Sequence, residues 1–314
     1  MAEPAITPNE AAEVETPTPP INSYFDLPAG KGLSYSEAES ITRRSLTRVI
    51  LFAGTADSGK TTLLSSLYLL FHRKPFAGYL FAGCDTFVGF EERNYYVQIA
   101  CGLSQPRMER TVVSELLHLR LRREDLSEPL VDVLLCDISG EDFREAKDSM
   151  ASCQRLGVIR RADTLVLLVD GAKLSDTAAQ HRAKNDPMTL LRNCLDAEML
   201  SPDTAVDVLF TKWDKVEASA RKGDIVSFSE WVENAIGRQF ANRVKQLRVT
   251  RIAAHPFESN LPFGFGLEQL FPSWVEHTAQ SSDRKAAPLV NLAGANEYDR
   301  YLNRRLARAN RTDA

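Results

Sequence analysis

Apolar residues fall into short, nearly unbroken runs separated by longer stretches in which apolar and polar positions mix, the pattern of buried strands joined by helices. Runs at residues 47–53, 164–169 and 205–210 are dense in Val, Leu, Ile and Phe, and a sparser one spans 247–252. Two more, at 115–121 and 131–136, lie close enough to pair as an antiparallel hairpin. Helices are predicted from Lys60 onward and over about 141–156, 187–200 and 229–247. A short helix is predicted near residue 35, where Ser34 stands three residues before Glu37 in the capping arrangement. This order predicts an α/β fold: a three-layer α/β/α sandwich on a mostly parallel six-stranded sheet with one antiparallel hairpin.

The pattern weakens at both ends. Residues 1–33 read as a disordered acidic arm, rich in proline (Pro4, Pro8, Pro17, Pro19, Pro20, Pro28). The main domain is placed at 34–280, with an insertion at about 72–110. The insertion carries Phe76, Tyr79, Phe81, Phe87, Phe90, Tyr95 and Tyr96, too aromatic for a structureless loop and suited to extra core, with a partner surface as the alternative. Residues 281–314 form an extension in which Tyr298, Leu302, Leu306 and Ala309 share one helical face and Arg300, Arg304, Arg308 and Arg311 another.

Composition narrows the function classes. The 314 residues carry a formal charge of -4, so no overall basic field indicates direct nucleic-acid binding. The five cysteines show no metal-binding spacing and suit reduced thiols. No apolar stretch approaches the ~20 residues of a membrane span, so a cytoplasmic location is expected.

Candidate chemistry begins directly after the first strand. Gly54-Thr55-Ala56-Asp57-Ser58-Gly59-Lys60-Thr61 fits G-x-x-x-x-G-K-[ST] between a strand and a helix. Its glycines allow a tight turn that points successive amides into one concavity; the helix N-terminus adds partial positive charge and Lys60 a full one. Gly54, Asp57, Ser58, Gly59, Lys60, Thr61 and Thr62 are therefore candidate polyphosphate contacts. Downstream, Thr211-Lys212-Trp213-Asp214 follows the strand at 205–210. The Asp214 carboxylate can accept from both the ring N–H and the exocyclic amine of guanine, and the Lys212 stem can lie along the base. Between them, Asp137-Ile138-Ser139-Gly140 closes the strand at 131–136, where Asp137 can hold Mg²⁺ through water, Thr61 ligates it directly, and the Gly140 amide reaches the terminal phosphate.

With these motifs the chain resembles the Ras-like, translation-factor-related (TRAFAC) class of P-loop small GTPases over roughly residues 46–280. The segments GKTTLLSSLY, FAGYLFAGCDTFVGFEER and DISGE more narrowly resemble the double-GTPase families of bacterial conflict systems. The resemblance implies GTP or GDP as ligand, Mg²⁺ as cofactor, and protein partners or an effector in a multi-protein defence complex. It places a fourth, base-side motif at Ala253-Ala254-His255, with the Ala254 amide meeting the guanine oxygen. It also requires a threonine that senses Mg²⁺ and the terminal phosphate; Thr111 is the candidate and Thr86 the alternative. The water-orienting position is Glu141 where efficient enzymes carry Gln, which implies slow hydrolysis, and Arg110 or Arg107 could supply a cationic finger in cis. Asp57 stands where potassium-dependent relatives carry Asn. An ATPase using the same loop, and a GTP-bound module without turnover, remain as alternatives.

Overall fold

The computed structural model describes residues 30–100, 115–126, 129–240, 243–257 and 259–276. The acidic arm up to residue 29, the extension from 281 and the segment holding Arg107, Arg110 and Thr111 lie outside them. Helix α1 (Tyr35–Arg44) starts as predicted: the Ser34 hydroxyl accepts from the Glu37 amide, and the Glu37 carboxylate accepts from Ser34 N–H at 2.8 Å. Then come β1 (Thr47–Ala53), α2 (Lys60–Arg73), β2 (Tyr79–Gly83), α3 (Phe87–Ala100), β3 (Glu115–Arg123) and β4 (Val131–Asp137). The chain continues through α4 (Gly140–Asp148), α5 (Met150–Arg155), a 3-10 turn, β5 (Thr164–Asp170), α6 (Gly171–Ser175), α7 (Gln180–Asp196) and β6 (Ala205–Thr211). It closes with α8 (Trp213–Glu217), α9 (Lys222–Phe240), β7 (Gln246–Arg251), α10 (Leu267–Leu270) and α11 (Pro272–Val275).

The strands form one sheet in the order β2-β3-β4-β1-β5-β6-β7, in which β3 runs antiparallel to both neighbours and the other pairs are parallel. All six predicted strands are present, and the predicted hairpin is β3–β4. The seventh, β2, comes from the insertion. Its short, half-exposed sequence gave little periodicity, and it forms because it pairs with β3 at the sheet edge. Along β1, Val49, Leu51 and Ala53 point into one core while Ile50 and Phe52 point into the other, so both faces are covered and the run reads as continuously apolar. The first core takes Phe143, Leu190, Leu191, Trp213 and Val232; the second takes Leu63, Leu67, Phe71, Phe90, Phe271 and Trp274. The insertion divides its aromatics: Phe76, Tyr79 and Phe90 are buried, whereas Phe81, Phe87 and Tyr95 are exposed.

Three helix boundaries differ from expectation. The helix predicted over 141–156 breaks at Ser149, whose hydroxyl caps α5 by accepting from Ser152 N–H. Pro187 lies inside α7 rather than near its start, because Ala183, Leu190, Leu191 and Cys194 bury one continuous face across it. Ser229 does not start α9 either. Its hydroxyl donates to the Val226 carbonyl within the helix, and burial of Ile225, Ser229 and Val232 sets the face from the preceding turn.

Two buried carboxylates fasten the sheet. Asp207 receives Nε and Nη2 of Arg248 at 2.6 and 2.9 Å and the Trp274 indole at 2.6 Å, tying β6, β7 and α11. Asp132 receives Arg120 at 2.7 and 3.3 Å and His118 Nε2 at 2.9 Å. Because the Asp85 amide donates to His118 Nδ1 at 3.0 Å, the neutral ring carries its proton on Nε2. Burial raises the Asp132 pKa, but the hydrogen bonds from Arg120, Ser45 and His118 outweigh it and hold the carboxyl below its ordinary value. A depressed carboxyl contributes stability above its unfolded pKa and loses it as pH falls through the folded one. Asp132→Asn is therefore expected to lower unfolding free energy by about 1–3 kcal/mol at pH 7, with the deficit shrinking below pH 4. Denaturant titrations at both pH values check this; a pH-independent deficit would contradict it.

Candidate phosphate and base site

The strand register brings the sequence motifs to one edge. Phe52 of β1 pairs with Asp137 at the end of β4, Ala53 with Leu167 of β5, and Asp170 of β5 with Thr211 at the end of β6. The loops that leave these strands meet at the carboxyl edge, where an open parallel sheet leaves a crevice for ligands.

The Gly54–Thr61 loop is shaped from within. Ser58 N–H returns to the Thr55 carbonyl at 3.1 Å, and Asp57 and Gly59 take positive φ values of 64° and 94°. Gly59 is the conformationally demanding position, since it turns the chain into α2 from the left-handed region. Among the described residues no side chain caps α2, so its first-turn amides keep their capacity for an anion. Lys60 is buried, and its Nζ donates to the Gly54 carbonyl at 2.8 Å, with the Thr55 carbonyl at 3.5 Å. Burial pulls its pKa down; Asp137 opposes that shift, Lys173 adds to it, and Asp57 opposes it. A cation that burial destabilises gains when polyphosphate arrives beside it. Among the described residues the buried Ser58 Oγ has no hydrogen-bond partner, and it lies directly against Gly54, where any Cβ would meet it at 2.5 Å.

The base-side motif locks onto this loop. Thr211 is buried, and its hydroxyl donates to the Ser58 carbonyl at 2.7 Å, with the Val169 carbonyl at 3.3 Å. Lys212 adopts φ 52°, and its Nζ reaches Asp170 Oδ2 at 2.9 Å. The next residue donates its amide to the Ile252 carbonyl, which fixes Asp214, 8% exposed, beside the β7 exit. Ala253 and Ala254 follow Ile252 at the exit of β7. The Ala253 amide is engaged by the Phe265 carbonyl, and the Ala254 carbonyl accepts from Gly264 N–H.

On the opposite flank, Asp137 is buried at the end of β4, and Ser139 caps α4 by accepting from the Asp142 amide at 3.0 Å. Gly140 lies against the loop: a Cβ there would come within 3.3 Å of the Ala56 nitrogen. Thr61 and Thr62 are half-buried on the first turn of α2. Glu141 is exposed and lines a cavity with Arg144, Glu145 and Ser152, apart from the larger cavity that borders Ala56 and Asp57. Thr86 is buried, with its hydroxyl accepting from the His118 amide at 2.9 Å, a structural commitment within the β2–β3 edge.

Sequence reading missed two groups here. Asp170 caps α6 with Oδ1, accepting from Ala172 and Lys173 amides at 3.0 and 3.3 Å, while its Oδ2 takes Lys212. Lys173 Nζ bonds the Ala56 carbonyl at 2.6 Å and lies 3.4 Å from Thr55 Oγ1. The signal for Asp170 was an acid at the end of an apolar strand; Lys173 had none.

Removing the Thr211 hydroxyl leaves the Ser58 carbonyl without its short donor. Thr211→Val is expected to weaken binding of a nucleoside triphosphate at the loop by about tenfold and to cost about 1 kcal/mol in stability. Calorimetric titration and chemical denaturation check both; an unchanged dissociation constant would show that this latch does not shape the loop.

Among solved structures, the chain is similar to the signal recognition particle receptor SRb-GTP/SRX complex from Chaetomium thermophilum, with 13% identity over 73% of this chain and 96% of that one and a TM-score of 0.41. It is also similar to the S. cerevisiae Ski7 GTPase-like domain bound to GTP, with 15% identity, 78% of this chain, 52% of that one and a TM-score of 0.47. The same domain bound to GDP and inorganic phosphate gives 15%, 79%, 53% and 0.46. The chain thus spans about half the length of the Ski7 chains it matches. A search of curated proteins finds no match. The family model for Double-GTPase 2 matches residues 48–275, from the second residue of β1 to the end of α11 and across every motif of the site. The chain belongs to the Double-GTPase 2 family.

Proposed function

We propose that the protein is a cytoplasmic guanine-nucleotide switch that binds GTP with Mg²⁺, rearranges the loops around Thr111 and Asp137–Glu141, and hydrolyses the terminal phosphate slowly. The observation that carries this reading is the bond from Thr211 to the Ser58 carbonyl, which ties the Gly54–Thr61 loop to the end of β6, three residues before Asp214. Family membership supports GTP as the ligand. Among the described residues no helix is long and apolar enough to cross a membrane.

The donor set fits Mg²⁺. Thr61 and Asp137 offer hard oxygens, and among the described residues no group of three or more His, Cys, Asp or Glu could hold an ion alone. The metal would be held by the Thr61 hydroxyl, phosphate oxygens and water ordered by Asp137, with Thr111 joining in the triphosphate state. Bound there, it would neutralise charge on the phosphates. Lys60 and the α2 amides hold the phosphates, Gly140 meets the terminal one, and Asp214 with Lys212 and the Ala254 amide hold the base.

Slow turnover follows from the groups around the attacking water. Glu141 repels an anionic phosphate, and it stands exposed in the first turn of α4, where solvent competes for its carboxylate. That exposure equally favours a second reading, a GTP-bound module without turnover. Arg110 is the cis candidate for offsetting transition-state charge. The resemblance to double-GTPase families of bacterial conflict systems supports a place in a multi-protein defence complex that acts on an effector.

Identifying the nucleotide that co-purifies, then measuring its single-turnover hydrolysis, tests the reading. GTP or GDP is expected, with a rate on the order of 10⁻⁴ to 10⁻³ s⁻¹; adenine nucleotide would contradict base choice, and a complete lack of turnover would favour the module. Asp214→Asn is expected to weaken GTP binding by about 100-fold or more while gaining xanthosine triphosphate, since a buried acceptor becomes a donor. Equal loss of both nucleotides would remove Asp214 from the base site.

A further inference from the structure

We propose that Lys173 is a sensor of the terminal phosphate: a second cation, delivered in cis from the start of α6, that contacts the γ-phosphate of GTP and is dispensable for GDP. This rests on the reading that the Gly54–Thr61 loop seats a guanine nucleotide.

The direction of the nucleotide across the site places Lys173. Asp214 fixes the base end, the α2 N-terminus and Lys60 fix the middle, and the polyphosphate must then run toward the start of the loop, where Gly140 packs on Ala56. Lys173 occupies that end. Its Nζ is 2.6 Å from the Ala56 carbonyl and 3.4 Å from Thr55 Oγ1, and its side chain is 35% exposed. Its backbone is not free to wander, because Asp170 Oδ1 accepts the Lys173 amide and caps α6. Asp170 Oδ2 lies 3.7 Å from Lys173 Nζ and 2.9 Å from Lys212 Nζ. One carboxylate thereby orients a cation on the base side and another on the phosphate side.

The short contact of the Lys173 ammonium is to the neutral Ala56 carbonyl, its carboxylate neighbour Asp170 lying farther off at 3.7 Å, and an anionic phosphate oxygen is a stronger acceptor than a carbonyl. A cavity of about 980 Å³ opens beside it, lined by Ala56, Asp57, Gly140, Arg144 and Arg182, and leaves the ammonium room to swing off Ala56. Lys60 and Lys173 also feel each other's charge, a repulsion that a polyphosphate placed between them removes. Bound to the γ-phosphate, Lys173 would release the Ala56 carbonyl and draw α6 toward the loop, so that the presence of the third phosphate is transmitted to α6.

The full chain, as wild type, Lys173→Met and Lys173→Arg, is titrated with GTPγS and with GDP in Mg²⁺, with melting temperature confirming the fold of each. Methionine keeps the apolar stem and is expected to weaken GTPγS by about tenfold or more while GDP stays within about twofold, and arginine should recover most of the loss. An unchanged GTPγS-to-GDP affinity ratio in Lys173→Met overturns the proposal, and so does parallel loss of both nucleotides, the signature of a latch that only shapes Ala56. Should wild type bind neither nucleotide, the guanine reading itself fails and this proposal fails with it; binding by wild type with an unaltered ratio sinks the proposal alone.

Discussion

A phosphate loop must keep its amides aimed at one point before any phosphate is there to attract them, and here that constraint is met by three contacts from different elements. Lys60 folds back on the Gly54 carbonyl, Thr211 holds the Ser58 carbonyl, and Lys173 holds the Ala56 carbonyl. The three carbonyls belong to alternate residues of the loop, Gly54, Ala56 and Ser58, and among the described residues no side chain caps the start of α2. Side chains from β6 and α6 can reach the loop only because β5 and β6 lie on the same side of β1. Strand order therefore governs the site as much as the loop sequence does.

The same geometry explains the electrostatic balance. A buried ammonium at Lys60 is tolerated because Asp137 and Asp57 counter its desolvation, while Lys173 works against it. Asp170 then ties the second and third lysines to one carboxylate. Lys60, Lys173 and Lys212 are thus each held by a contact within the protein, so the positive charge beside the Gly54–Thr61 loop is fixed in advance, the condition under which charge is most effective. Elsewhere in the sheet the buried charges serve architecture, with Asp132 and Asp207 each closed by an arginine and a ring N–H.

Much of this was legible in the sequence for identifiable reasons. The strands at 47–53, 131–136, 164–169 and 205–210 are buried on both faces, and such runs have few other interpretations. The phosphate loop and the Thr211–Asp214 motif are local in sequence and need only a strand before them. What escaped depends on tertiary contact. Strand β2 exists because β3 offers it an edge, α7 runs through Pro187 because its buried face outweighs the missing amide, and Ser229 resembled a helix start but bonds inward. Lys173 is an ordinary lysine in any window of sequence; only the β5–β1 pairing brings it to Ala56.

The account stands on one selective encounter, that of the loop and Asp214 with a guanosine triphosphate. Calorimetric titration of the nucleotide-free wild-type chain with GTP and, separately, ATP in the presence of Mg²⁺ measures it directly. A dissociation constant of about 1 μM or below for GTP, with ATP weaker by about 100-fold or more, is the predicted result. Equal affinity for the two, or no heat with GTP, would contradict it.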